Sequence, residues 1–544
     1  MKIKLHSAAA LVLGLQMANA QFSIDPSQPM VVCNAANSQK NVQVLPDGSN
    51  GYYVFWTDMR NATQYFLYGQ HLDSDGDPQW TANGRIIVQP GIKSIVSYKT
   101  VLFQGGILIA WIQAATSGYG DSLLCKQINF SGNDVWVQPT LVGQSGINSI
   151  LYHETYNLNV IPNDSGAFIN YSLVYIGGSS GIALNRIDNN GVLRWASPQT
   201  PVLPGYSFWT YSGLQNTFYS ISRGNGLGSP INVQKFDLQC TAQWASTVDI
   251  SLAISSNGFG GTHYLYPDSS GNAYVIWEGN AQKIFYSKLD SSGNFLWSPQ
   301  IKATVSIAST QSRPHTIFFN NNLYILWNDD RISGQTTVFT QKYDSSGAEL
   351  WTPNGVQTGV CNGYYDYPKI ATSDSNSVLC AFHAGAPWFV YAQRIRSDGT
   401  LSWSGNGTAL ASNHAFINYD AITLTNSTNG CNAVFWIEFS TEDIYSAKIC
   451  SDGNLVSIES PESDKIGFDI FPNPSKNYFT VTISGVSKVI VLEIYNVTGK
   501  LLYQETDMKN NSSFRFSNLF LSPGIYFVKA VTPNGYFCKK LIVE

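Results

Sequence analysis

The chain has 544 residues, of which 44% are hydrophobic, 13% aromatic and only 12% charged, and its net charge is −5. This aromatic-rich, charge-poor profile excludes a disordered chain, and the lack of a basic cluster argues against a nucleic-acid partner. Eight cysteines, none in C-x-x-C spacing, suit an oxidising compartment without implying a metal.

Residues 1–20 read as a secretory signal. Lys2 and Lys4 precede the apolar run Ala8 to Leu15, and Ala18-Asn19-Ala20 forms a small-x-small cleavage site before Gln21. No later stretch is long or apolar enough to span a membrane. The expected product is exported and not embedded.

Residues 21–460 carry one motif about eight times. It begins as LDSDGDPQW (Leu72 to Trp80) and recurs at Trp136, Trp195, Trp244, Trp297, Trp351 and Trp403, fading into ICSDGNLVS at Ser457. The intervals, by subtraction, are 56, 59, 49, 53, 54, 52 and 54 residues. About 25 residues before each tryptophan lies a short apolar run, such as GYYVFW ending at Trp56 or NNLYILW ending at Trp327, too short for a helix and read as a buried strand. An alternating strand such as Phe339 to Asp344 follows. An aspartate turn with a positive-φ glycine then leads to the tryptophan strand.

Four strands per repeat cannot bury both faces alone, so neighbours must stack. The expected fold is all-β: a β-propeller in which the tryptophans are inter-blade anchors. Eight copies predict eight blades. Seven result if the fourth copy, with Cys240 in place of glycine, is absorbed differently. Two copies also carry W-x-D-x-R, at Trp56-Asp58-Arg60 and Trp327-Asp329-Arg331. These read as turn braces through a partly exposed ion pair, worth roughly 0–1 kcal/mol. Cys431 and Cys450 fall on the two arms of one predicted hairpin and are paired as a disulfide.

Chemistry is sparse. Gly177 to Gly181 matches G-x-S-x-G but lies between two strands, without the strand-to-helix elbow that exposes a nucleophile. Asp73, Asp75 and Asp77 alternate like the start of a calcium loop and lack its glycine and closing glutamate. No catalytic residue, metal ligand or cofactor site emerges. One constellation recurs 16 to 19 residues after the anchor tryptophans: Tyr98, His153, Tyr211, His263, His315 and Tyr367. If the strand that follows is innermost, these side chains ring one mouth of the central channel, where tyrosine and histidine recognise sugars or peptides.

After a polar linker, 461–468, the pattern changes to short alternating strands separated by turns, predicting a small Ig-like β-sandwich over 469–544. The marks are Pro472-Asn473-Pro474, the strand and turn Ile494 to Lys500 with Gly499, then Gly524-Ile525-Tyr526 and the closing Lys539-Lys540-Leu541-Ile542-Val543. This stretch resembles the C-terminal sorting domain of the type IX (Por) secretion system. The resemblance implies that the domain engages the type IX machinery and delivers the chain outside the cell, for release or surface attachment. The body is similar to uncharacterised repeat proteins joined to such domains, and that likeness supplies no activity. The expected function is an exported binding or adhesion module for an extracellular glycan or protein. The alternatives are a polysaccharide-active hydrolase or lyase, using carboxylates such as Glu278, Asp329 or Glu438, and a structural surface component.

Overall fold

The computed structural model describes residues 22–114, 121–144, 149–151, 158–175, 180–198, 207–214, 216–223, 229–251, 263–279, 282–332, 335–361, 367–384, 389–412, 422–427, 430–438, 440–455, 468–476, 478–483, 491–496, 500–506, 513–517, 521–532 and 535–544. The regular elements described are all strands. They fall into two compact units, Met1–Ser457 and Ile458–Glu544. The predicted signal and linker lie outside the described residues, apart from Phe468.

In the first unit each repeat forms one antiparallel sheet. The strands Gln39–Pro46, Tyr52–Asp58, Phe66–Leu72 and Arg85–Val88 pair in that order to make blade one. The same order recurs in the blades starting at Ser94, Ser207, His263, Gln311 and Lys369. Blade three pairs Leu158–Asn163, Gly166–Tyr175 and Ser180–Ile187, with Ser149–Leu151 added along its middle strand. Blade eight combines Thr423–Leu424, Cys431–Ile437 and Ile444–Cys450 with Met30–Cys33 from the start of the chain. That makes eight sheets among the described residues, the last completed by the first strand.

The apolar clusters sit between sheets. One joins blades one and two through Phe55, Tyr98 and Trp111, and another joins five and six through Tyr274, Ile325 and Trp327. A further cluster links blades seven, eight and one through Leu379, Phe435 and Trp56, so the ring is closed. Closure covers the sheet faces that the two end blades of an open array would expose, and leaves only short edges.

The aspartate turns explain the period. In each of Asp73, Asp188, Asp237, Asp290 and Asp344, Oδ1 accepts the backbone N–H two and four residues ahead. The turn glycines have positive φ, 79° at Gly191 and 72° at Gly347, and each lies under the tryptophan of the preceding repeat. A Cβ on Gly191 would lie 2.6 Å from the Trp136 ring, and one on Gly453 would lie 2.5 Å from Trp403. Trp244, Trp297 and Trp351 also donate Nε1–H to the carbonyls of Ser291, Ser345 and Ser397 in the next turn. The anchor therefore grips the following blade.

The eighth repeat has no tryptophan to give, and Phe22 takes its place. Its ring is 1% exposed, its N–H bonds the Asp75 carbonyl at 3.1 Å, and a Cβ on Gly76 would meet it at 3.0 Å.

The W-x-D-x-R braces are more buried than the sequence predicts. Asp58 and Asp329 have no side-chain exposure. Each receives Trp Nε1–H at 2.8 Å and three bonds from its arginine, one from the backbone and two from the guanidinium. The arginines reach on to the carbonyls of Asn83 and Asn354, in Asn-Gly turns that roof the strand end. Arg60 and Arg331 also lie 3.9 and 3.8 Å from the rings of Tyr68 and Phe339. Because the turn covers the carboxylate, removing one partner costs roughly 3–5 kcal/mol rather than the small sum of a surface pair. Cys431 lies directly opposite Cys450 in register, and their sulfurs are joined.

The second unit is a two-sheet sandwich. Phe468–Phe471, Tyr478–Ile483 and Ser513–Ser517 form one sheet. Leu501–Glu505, Val491–Asn496, Gly524–Thr532 and Gly535–Val543 form the other. Their inner faces bury Phe479, Val481, Ile494, Val528 and Leu541.

Candidate functional site

The first strands of neighbouring blades lie against one another, those of blades five and six joined by the Tyr264 and Tyr266 hydroxyls, which makes them the innermost. Each blade thus has two ends. At the entry end the first strand begins and the second finishes. At the turn end lie tight hairpins such as Phe103–Gly106 and all the aspartate turns.

The Tyr/His positions gather on the inner strands, where their polar tips meet neighbouring backbone. Tyr98 is fully buried and donates its hydroxyl to the Phe55 carbonyl at 2.8 Å and to that of Asn41. Tyr211 bonds the His263 carbonyl at 2.6 Å. His315 Nδ1 accepts the N–H of Ile370 at 3.2 Å, and burial, aided by the charge of Lys369, pushes its pKa well below the usual histidine value. Tyr264 and Tyr266, adjoining the expected set, bond the carbonyls of Pro314 and Thr316. Gln43, Asn159 and Thr423 make comparable links, the last to Val42 across the closure. These side chains lace the inner strands together.

His263 is 3% exposed, with its ring 4.4 Å from that of Trp209 in blade four. Tyr367 is half-buried at the entry to blade seven, and the Arg313 guanidinium stands 3.9 Å from its ring centre. Arg313 occupies a bulge in the first strand of blade six at φ 55°. His153 lies outside the described residues.

One residue at the entry end escaped the sequence reading. Arg223 ends the second strand of blade four, opposite Ser207 and Ile231. It is 4% exposed, and its Nε has no hydrogen-bond partner among the described residues. Burial lowers its pKa, with the charge of Glu278 in blade five acting against this. No repeat motif marks this arginine, since each of the other blades ends its second strand differently.

The carboxylates considered for hydrolysis lie in three blades. Asp329 is locked by Arg331 and Trp327, and burial is outweighed by those bonds, so its pKa is lowered. Glu438 accepts hydroxyls from Ser440 and Thr441 within its own blade. Among the described residues no three His, Cys, Asp or Glu side chains are grouped to hold a metal. Asp73 spends Oδ1 on its own turn and Oδ2 on Gln79.

In the second unit Asn473 clamps the final strand. Its Nδ2 donates to the Lys540 carbonyl at 2.7 Å and its Oδ1 accepts from the N–H of Ile542 at 2.8 Å. Pro472 and Pro474 flank this clamp. Tyr526 points into the core and donates to the Ser522 carbonyl, while Gly524 opens its strand opposite Val543. Lys539 pairs with Asp469 at 2.8 Å, and Lys540 is exposed. Gly499 lies outside the described residues.

A family model for the secretion system C-terminal sorting domain matches residues 469–544. The final domain is a type IX sorting domain. A chain with this domain is secreted or attached to the cell surface, and its sorting domain interacts with the type IX machinery. No curated protein matches the sequence.

Solved structures similar to the chain include prolyl oligopeptidase B from Galerina marginata, at 10% identity and TM-score 0.41, covering 77% of this chain and 55% of that one. A neuraminidase-like protein of a bat influenza A virus gives 10% identity and 0.33, covering 57% and 95%. An α-L-arabinanase of Penicillium chrysogenum, complexed with arabinobiose, gives 10% and 0.32, covering 57% and 92%. The propeller is established by its eight sheets and their closure. Among the described residues no helix is long and apolar enough to cross a membrane.

Proposed function

We propose that this protein is an exported binding module whose propeller recognises an extracellular glycan or protein at the entry end of blades four and five. Its leader is removed after Ala20, and its sorting domain delivers the folded ring. The observation that carries this reading is Arg223. A guanidinium removed from water without a hydrogen-bond partner for its Nε is costly, and an anionic group restores what burial takes away. Guanidinium is also the side chain best shaped for a carboxylate, sulfate or phosphate.

Trp209, two residues along its strand from Ser207, the partner of Arg223, supplies flat apolar surface, with the buried His263 ring packed against it. Tyr367 with Arg313 forms a second aromatic-cationic point on the same end, while Tyr98, Tyr211 and His315 serve recognition indirectly by fixing the inner strands.

The test is an array of acidic and neutral glycans, with a parallel pull-down of surface proteins, using the mature chain from Gln21. Acidic ligands are expected to bind, and Arg223→Met to weaken them at least about tenfold with the melting temperature held. Equal binding by Arg223→Met, or no acidic binder, overturns the proposal.

A further inference from the structure

The turn end, opposite to Arg223, holds a cavity of ≈ 470 Å³ between blades five and six. One wall is the first hairpin of blade five, where Asp268 Oδ1 accepts the N–H groups of Ser270 and Asn272 at 3.0 Å each. Asp268 Oδ2 takes the Asn272 amide at 2.9 Å and pairs with Lys288 Nζ at 3.0 Å. Lys288 also donates to Tyr274 Oη at 2.9 Å and stands 4.5 Å from that ring centre. The opposite wall is the first hairpin of blade six, with Phe318 and Asn321. The Phe318 ring is fixed against Tyr274 at 4.8 Å and Tyr266 at 6.4 Å, and it remains half-buried.

Two properties of this lining select a ligand. The ammonium is neutralised by Asp268, and both side chains are over 90% buried, so the pocket offers hydrogen bonds without net charge. The third Lys288 proton, the Asn321 amide and the Ser270 hydroxyl make no hydrogen bond among the described residues. An aromatic wall facing scattered donors and acceptors suits a molecule with one apolar face and a rim of hydroxyls, and the volume is in the range of ligand pockets. We propose that this cavity binds a neutral saccharide. It is independent of the anionic site at the entry end.

The mature chain is titrated with glucose, galactose, mannose and N-acetylglucosamine, with glucuronate as the charged arm, by saturation-transfer NMR and calorimetry. Saturable binding of at least one neutral sugar is expected. Phe318→Ala and Asn321→Ala should each weaken it about tenfold, while Arg223→Met leaves it unchanged. Ser270 is at a hairpin surface, so Ser270→Ala reads the site even if Phe318→Ala, or Asn321→Ala at its φ of 58°, disturbs folding. Binding of glucuronate alone, no binding of any neutral sugar, or wild-type affinity in Asn321→Ala and Ser270→Ala would each overturn the proposal.

Discussion

Asp329 carries more of the ring than a surface brace would. Its two oxygens satisfy Trp327, the Arg331 backbone and the Arg331 guanidinium inside a strand end closed by the Asn354-Gly355 turn. Asp329→Asn leaves the guanidinium buried against a neutral amide, and urea unfolding should show a loss of roughly 3–5 kcal/mol. Gly347 gives a second residue-scale prediction. An alanine there meets both a φ of 72° and the Trp297 ring at 3.0 Å. Gly347→Ala should therefore lower stability by about 1–3 kcal/mol, read by the same unfolding measurement. The Asp, Gly and Trp of each turn were legible in the sequence because each answers a local demand: an acceptor for turn amides, a positive φ and a large apolar ring. Arg223 was not legible, because no local pattern marks a buried guanidinium whose Nε is unpartnered among the described residues.

At the scale of elements, the strand Met30–Cys33 and the ring of Phe22 close blade eight onto blade one. The fading of the eighth motif at Ser457 was visible, but nothing local says that a phenylalanine more than 400 residues away fills the gap. Phe22→Ala should speed hydrogen exchange in Cys431–Ile437, Ile444–Cys450 and Tyr52–Asp58 while blades four and five stay protected. Uniform loss of protection around the ring would contradict a local closing role. The inner strands also show how far pattern reading reaches. Spacing from the tryptophans placed Tyr98, Tyr211 and His315 on the right strands. It could not tell that their polar atoms would turn sideways to the next blade's backbone, since that depends on blade-to-blade register.

For the whole molecule, the aspartate turns make stability acid-sensitive. Asp268, Asp290, Asp344 and Asp374 each suffer some burial, which opposes ionisation, yet turn N–H groups and nearby cations or amides hold their pKa values below 3.8. The unfolded chain then takes up protons first on acidification. The stabilisation is present in full above the unfolded value and is lost as pH falls through the folded ones. Unfolding midpoints should be flat from neutral pH down to about 5 as far as these groups contribute, then drop steeply below about 4.

The eight-bladed plan itself was readable from one repeated turn, because a repeat that cannot bury itself must be completed by its neighbours. The ligand was not, because the scaffold motif is indifferent to what the ends of the blades hold. Hydrogen exchange of the mature chain, free and saturated with an acidic ligand, tests the binding claim most directly. Slowed exchange is expected only at the entry ends of Ser207–Ser212, Thr217–Arg223 and His263–Pro267, and is abolished by Arg223→Met. Protection by that ligand at the aspartate-turn ends, or its persistence in Arg223→Met, would contradict recognition at Arg223.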